Sequence, residues 1–128
     1  MDQLSTRPLL DKLGVKPGHR IAVIGRFDAD FVEQLRGRGA SVSRRAIRDA
    51  DHIYLAAATS TDLSKILTLK KGLRKDGSFW VVRPKGVKTI TETGTQQAGL
   101  DAGLVDVKVV SFSPTHTAEK FVYRLADR

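Results

Sequence analysis

The residues of this sequence that could do chemistry are cations and hydroxyls placed just after apolar runs. Arg26 follows the run that ends in Gly25. Thr59, Ser60 and Thr61 follow the apolar run 53–58, and Arg83, Pro84 and Lys85 follow the run 79–82, with Lys88 shortly beyond. If these runs are neighbouring parallel strands, they all end on one side of a sheet, where open α/β sheets bind ligands. Two strand spacings of about 4.8 Å then separate the first from the third. Arg26 from one side, and Arg83 and Lys85 from the other, are expected to face one anion. The hydroxyls and amides of Thr59, Ser60 and Thr61 would form its floor. The plainer reading makes Ser60 or Thr61 a helix cap and the basic residues solvated loop ends. On the anion reading, charge reversal at Arg83 weakens binding more than reversal at Arg45. Neither change is expected to cost more than about half a kcal/mol of stability.

Other chemistries have thinner support. The chain has no cysteine, which excludes disulfides, thiolate metal sites and a cysteine nucleophile. His19, His52 and His116 lack metal-ligand spacing, and no G-x-S-x-G elbow is present. No catalytic residue, metal or cofactor is assigned. If the protein is an enzyme, Asp28, Thr59 or His116 would orient the reacting atom, and a ligand pocket is expected at the strand ends. The net charge of +8 points to an anionic small molecule, an acidic protein or nucleic acid. Arg36, Arg38, Arg44, Arg45 and Arg48 could follow a phosphate backbone. Yet no aromatic residue interleaves them, as base stacking requires. They also read as a solvated basic edge that discourages strand pairing. The longest apolar run is six residues, too short for a bilayer, and the N-terminus lacks a signal pattern. A cytoplasmic location is expected.

Alternating elements must position these residues. Residues 1–18 read as an arm, with one or two helical turns at 8–14 that stop at Gly14. Residues 19–25 read as a buried strand. A helix follows, with Asp28 as N-cap, Phe27 and Val32 at hydrophobic-staple positions, and Gly37 and Gly39 as its end. Residues 40–47 could hold a short edge strand, and 51–58 a second buried strand. The next helix is expected to bury Leu63, Ile66, Leu67 and Leu73 and to stop at Gly77. Lys70, Lys71, Arg74 and Lys75 would complement its dipole. Residues 78–84 read as a third buried strand that places Phe79 and Trp80 in the core, and 91–104 as a weak helix. Residues 105–112 and 119–125 alternate as strands, joined by a loop at 113–118. No repeat or second domain is evident, so the chain reads as one domain.

Strands alternating with helices imply a three-layer α/β fold with a mostly parallel sheet, closed by an antiparallel hairpin. The local sequences carry a resemblance. Residues 16–25 (KPGHRIAVIG) resemble the entry to a class I methyltransferase first strand, 50–57 its fourth and 73–86 its fifth. Residues 102–112 with 119–125 resemble its terminal hairpin. The run 8–124 is similar to an uncharacterised family of small bacterial proteins built on a truncated form of this Rossmann-like core. That resemblance implies the fold more than an activity. The methyltransferase glycine loop is matched by Val23, Gly25, Phe27 and Ala29, and the acidic ribose ligand by Ser43, Arg44 and Arg45. Residues 44–51 span at most about 28 Å, which leaves no room for the helix, strand and helix of a full core. The resemblance therefore implies a methyltransferase-like binding module without S-adenosylmethionine. A divergent methyltransferase or another small-molecule transferase is the alternative, and a basic nucleic-acid-associated protein a further one.

Overall fold

The structure is a computed structural model and describes residues 8–128; residues 1–7 of the expected arm lie outside the described residues. Six strands form one sheet in the order β2-β1-β3-β4-β6-β5. They are β1 (Arg20–Ile24), β2 (Ser41–Ser43), β3 (Ala50–Ala56), β4 (Leu73–Pro84), β5 (Leu104–Ser111) and β6 (His116–Tyr123). The first four pair in parallel, and β6 runs antiparallel between β4 and β5. The expected mixed sheet with a closing hairpin is therefore present, with 40–47 supplying only the three-residue edge strand β2. No helix occurs between β2 and β3.

The middle strands are apolar on both faces because helices cover both. On one face Ile21, Val23, Tyr54, Trp80 and Val82 pack under α1 (Leu9–Leu13) and α2 (Ala29–Gly37). On the other, Ile53, Leu55, Phe79, Val81 and Phe121 pack under α3 (Lys65–Leu69) and α4 (Glu92–Asp101). Phe79 and Trp80 are fully buried on opposite faces, as period-2 alternation requires. Gly14 takes φ +73° and ends α1. Arg38 ties α1 to α2 by donating to the Asp11 carboxylate at 2.8 Å and to the Val15 carbonyl at 3.1 Å.

Several expected details differ. The helix after β3 is short: a 3-10 segment, Ser60–Ser64, runs into α3, and a 3-10 turn, Lys70–Gly72, closes it. Leu73 and Gly77 belong to β4, as do Arg74 and Lys75, which therefore lie beyond any helix end. Gly77 sits where a Cβ would meet the Asp51 and Ala50 carbonyls, so it reports close strand packing. Leu67 is 55% exposed and outside the core. The loop joining β5 to β6 is shorter than expected, because β6 begins at His116, inside the stretch read as loop. Asp28 holds the N-cap position of α2, but its carboxylate makes no capping hydrogen bond. Phe27 stacks on Phe31 at 5.5 Å between ring centres and meets the edge of Phe112.

Candidate functional site

A cleft of about 690 Å³ opens at the carboxyl ends of β1, β3 and β4, in the size range of small-molecule sites. Its walls come from three loops and the hairpin. Gly25 to Asp28 form the β1–α2 side, Ala56 to Ala58 the floor, and Val82 with Pro84 the β4 side; Phe112 and His116 come from the hairpin. Gly25 takes φ +100°, and a Cβ there would crowd Ala56 at 3.1 Å. Only glycine combines that turn with that approach. Phe27 lines the cleft and does not fill it, because its ring is drawn onto Phe31 and Phe112.

The polar rim is mixed. Arg26 and Asp28 are exposed at the rim and carry no ion pair among the described residues. His116 Nδ1 lies 2.8 Å from Thr115 Oγ1, which leaves its other ring nitrogen for the cleft. Asp62 accepts the Ala58 and Thr59 backbone N–H groups at 2.9 and 3.2 Å. Those two bonds hold its carboxyl below the ordinary range, since they favour the charged form. Lys65, 3.7 Å from Asp62, completes this side.

The six residues expected to surround one anion are placed as follows. Arg26 lines the cleft. Thr59 forms a capping box with Asp62, and Ser60 donates its backbone N–H to the Thr89 carbonyl at 3.0 Å. Ser60 otherwise lines a separate groove against α4, and Thr61 is exposed. The amides of this first turn are thus largely engaged within the chain, and the segment is a five-residue 3-10 turn. Lys85 donates its ammonium to Ser111 Oγ at 3.0 Å. Arg83 shares the face of Phe79 and Val81, not that of Val82 and Pro84, which line the cleft. It is 7% exposed, lies 3.6 Å from Glu119 and 4.0 Å from Glu92, and does not meet Arg26. Period-2 alternation is the reason: neighbouring residues of one strand point to opposite sides.

Glu119 is fully buried. Burial pushes its carboxyl pKa up, and Arg83 pulls it down less strongly. The cleft residues that sequence reasoning did not single out include Asp62, Lys65 and Phe112. The Thr59-x-x-Asp62 spacing of a capping box was the available signal.

No family model matches the chain, and no curated protein matches it in sequence. Solved structures do match its fold. An S-adenosylmethionine-dependent methyltransferase from Aquifex aeolicus superposes with a TM-score of 0.70 at 14% identity, over 88% of this chain and 86% of that one. A ribosomal protein L11 methylase from Lactobacillus delbrueckii subsp. bulgaricus gives 0.67 at 11% identity, over 91% and 75%. A fibrillarin pre-rRNA processing protein from Methanococcus jannaschii gives 0.58 at 12% identity, over 85% and 68%. This chain has the Rossmann-like methyltransferase fold. Among the described residues, no helix is long and apolar enough to cross a membrane, and no group of three or more histidine and carboxylate residues could hold a metal ion.

Proposed function

We propose that this protein is a divergent small-molecule transferase of the methyltransferase fold, with the carboxyl-end cleft as its substrate site. The observation that carries this reading is the open cleft: Phe27 turns onto Phe31 and Phe112 and leaves about 690 Å³ beside it. The fold supports the reading only by analogy. His116 is the group suited to moving a proton, through the ring nitrogen that Thr115 does not engage. Arg26 and Lys65 suit an anionic part of the substrate, and Phe27, Phe112 and Pro84 an apolar part.

The fold neighbours raise S-adenosylmethionine, which supplies an electrophilic methyl group when bound. Its fit here is to one end only. The tight turn at Gly25, the exposed Arg26 and the uncommitted Asp28 carboxylate would hold its amino-acid end. At the nucleoside end, Ser43, Arg44 and Arg45 offer no carboxylate. Ser43 Oγ is bonded to the Arg45 backbone, and the Arg44 guanidinium donates to the Gly25 carbonyl at 2.9 Å. That corner favours a second reading: a methyltransferase-like module that binds an anionic ligand or partner without chemistry. Calorimetry with S-adenosylmethionine and S-adenosylhomocysteine separates the two. Saturable binding at a Kd of about 100 μM or tighter, lost on Arg26→Glu, is expected of the transferase. No binding of either compound rejects the methyl-transfer form and leaves the binding module.

A further inference from the structure

A second recess, of about 260 Å³, lies at the opposite end of the sheet, where β1, β3 and β4 begin. Its geometry rests on two histidines. His52 is 5% exposed. Its Nδ1 accepts the Trp80 indole N–H at 3.4 Å, and a tryptophan can only donate. The neutral His52 ring therefore carries its proton on Nε2, which lies 3.1 Å from His19 Nδ1. His19 Nδ1 also accepts the Lys16 backbone N–H at 3.2 Å. With Nδ1 occupied twice as an acceptor, the His19 proton sits on Nε2, which has no partner among the described residues.

The carboxylates of the recess are already committed. Asp51 accepts the Arg20 backbone N–H at 2.8 Å and faces the Arg74 guanidinium at 3.6 Å. Asp76 pairs with the same guanidinium at 3.2 Å. What remains free is made of donors: His19 Nε2–H, the Ser78 hydroxyl, Lys16 and Lys120. Lys120 is a half-buried ammonium with no carboxylate within ion-pair distance among the described residues, held 5.9 Å from the Trp80 ring centre. Desolvation, with Lys108 nearby, pulls its pKa down. An uncompensated, partly desolvated cation is stabilised by any anion that reaches it.

We propose that this recess is a binding site for a small oxyanion of phosphate size, held by Lys120, Lys16, Ser78 and the Nε2–H of His19. Its volume falls below that of typical drug-sized sites, which sets the ligand class. The site is separate from the carboxyl-end cleft and does not depend on the transferase reading.

The test is titration of the full chain with inorganic phosphate near neutral pH, followed by calorimetry and by proton–nitrogen NMR. One saturable site is expected, with movement of the His19 ring nitrogens and the Ser78 amide. Lys120→Met should weaken binding by about tenfold or more, as loss of a charge-assisted bond does. Lys16→Ala, at an exposed position, should weaken it by a smaller factor without risk to the fold. Arg26→Met in the other cleft should leave it unchanged. The proposal is overturned by no saturable binding, by shifts confined to Arg26 and His116, or by unchanged affinity in both lysine variants.

Discussion

Acidification should destabilise this protein through His52 before most carboxylates titrate. Burial, with His19 adding to it, holds the His52 imidazole at about 4 against 6.5 for the free side chain. A depressed histidine resists the proton when folded and takes it when unfolded. Stability is therefore unaffected above about pH 6.5, falls between about 6.5 and 4, and reaches its full loss below that. The full difference corresponds to about 3 kcal/mol, of which about 2 kcal/mol is already lost near pH 5. That is a sizeable share of the stability of a domain this long. His52→Gln keeps one acceptor for the Trp80 indole and one donor for His19, and it removes the titration. Urea unfolding of both proteins at several pH values between about 7 and 4.5 measures the difference. The wild type should lose about 2 kcal/mol more than the variant over that span. Glu119 acts in the opposite sense, since its raised pKa lets the folded state take a proton first, but it does so in both proteins. Parallel pH profiles for wild type and variant would refute the assignment.

Arg83→Met should cost about 3 kcal/mol near neutral pH, because Glu119 stays buried without its cation. The cost should shrink on acidification, and an equal loss at both pH values in urea unfolding would contradict the pairing. Gly99→Ala should also destabilise, although alanine favours a helix. A Cβ at Gly99 would collide with the fully buried Phe121 ring, and overpacking of about 1–3 kcal/mol outweighs the helix gain of about 0.5–1 kcal/mol. An unchanged or raised melting temperature would show that α4 can shift on the sheet.

The fold was legible because its determinants are local and repeated. The runs at 19–25, 51–58 and 78–84 are short, β-branched and closed by turn residues, and each became a buried strand. Gly14 marked a helix end that the structure keeps, and the stretch read as a weak helix from 91 is α4, whose N-cap Thr91 accepts the Gly94 N–H at 3.0 Å. Errors gathered where a tertiary partner overrode local preference. Residues 70–77 carry helix-compatible lysines and a closing glycine, yet β4 begins at Leu73. Pairing with Ala50 across the sheet recruits that stretch, and no periodicity within it announces such a neighbour.

The placement of the candidate residues was legible by end of sheet but not by face. Placing Arg26, Thr59 and Arg83 at strand carboxyl ends needed only the order of the apolar runs. Deciding which of them share a cleft needed the parity of each residue along its strand, set by the core. Val81 faces α4 and Val82 faces α2, so Arg83 is carried under α4 and Pro84 into the cleft. A shift of one residue in the reading of β4 exchanges the two. The same parity explains why Arg83 needed two acidic partners from separate elements, Glu92 at the start of α4 and Glu119 on β6. A guanidinium so enclosed is costly unless paired, and those partners lie 9 and 36 positions away in sequence. Charge reversal at Arg83 is therefore a test of folding, not of ligand binding. The stability loss expected of it far exceeds the half kcal/mol that an exposed loop arginine would give.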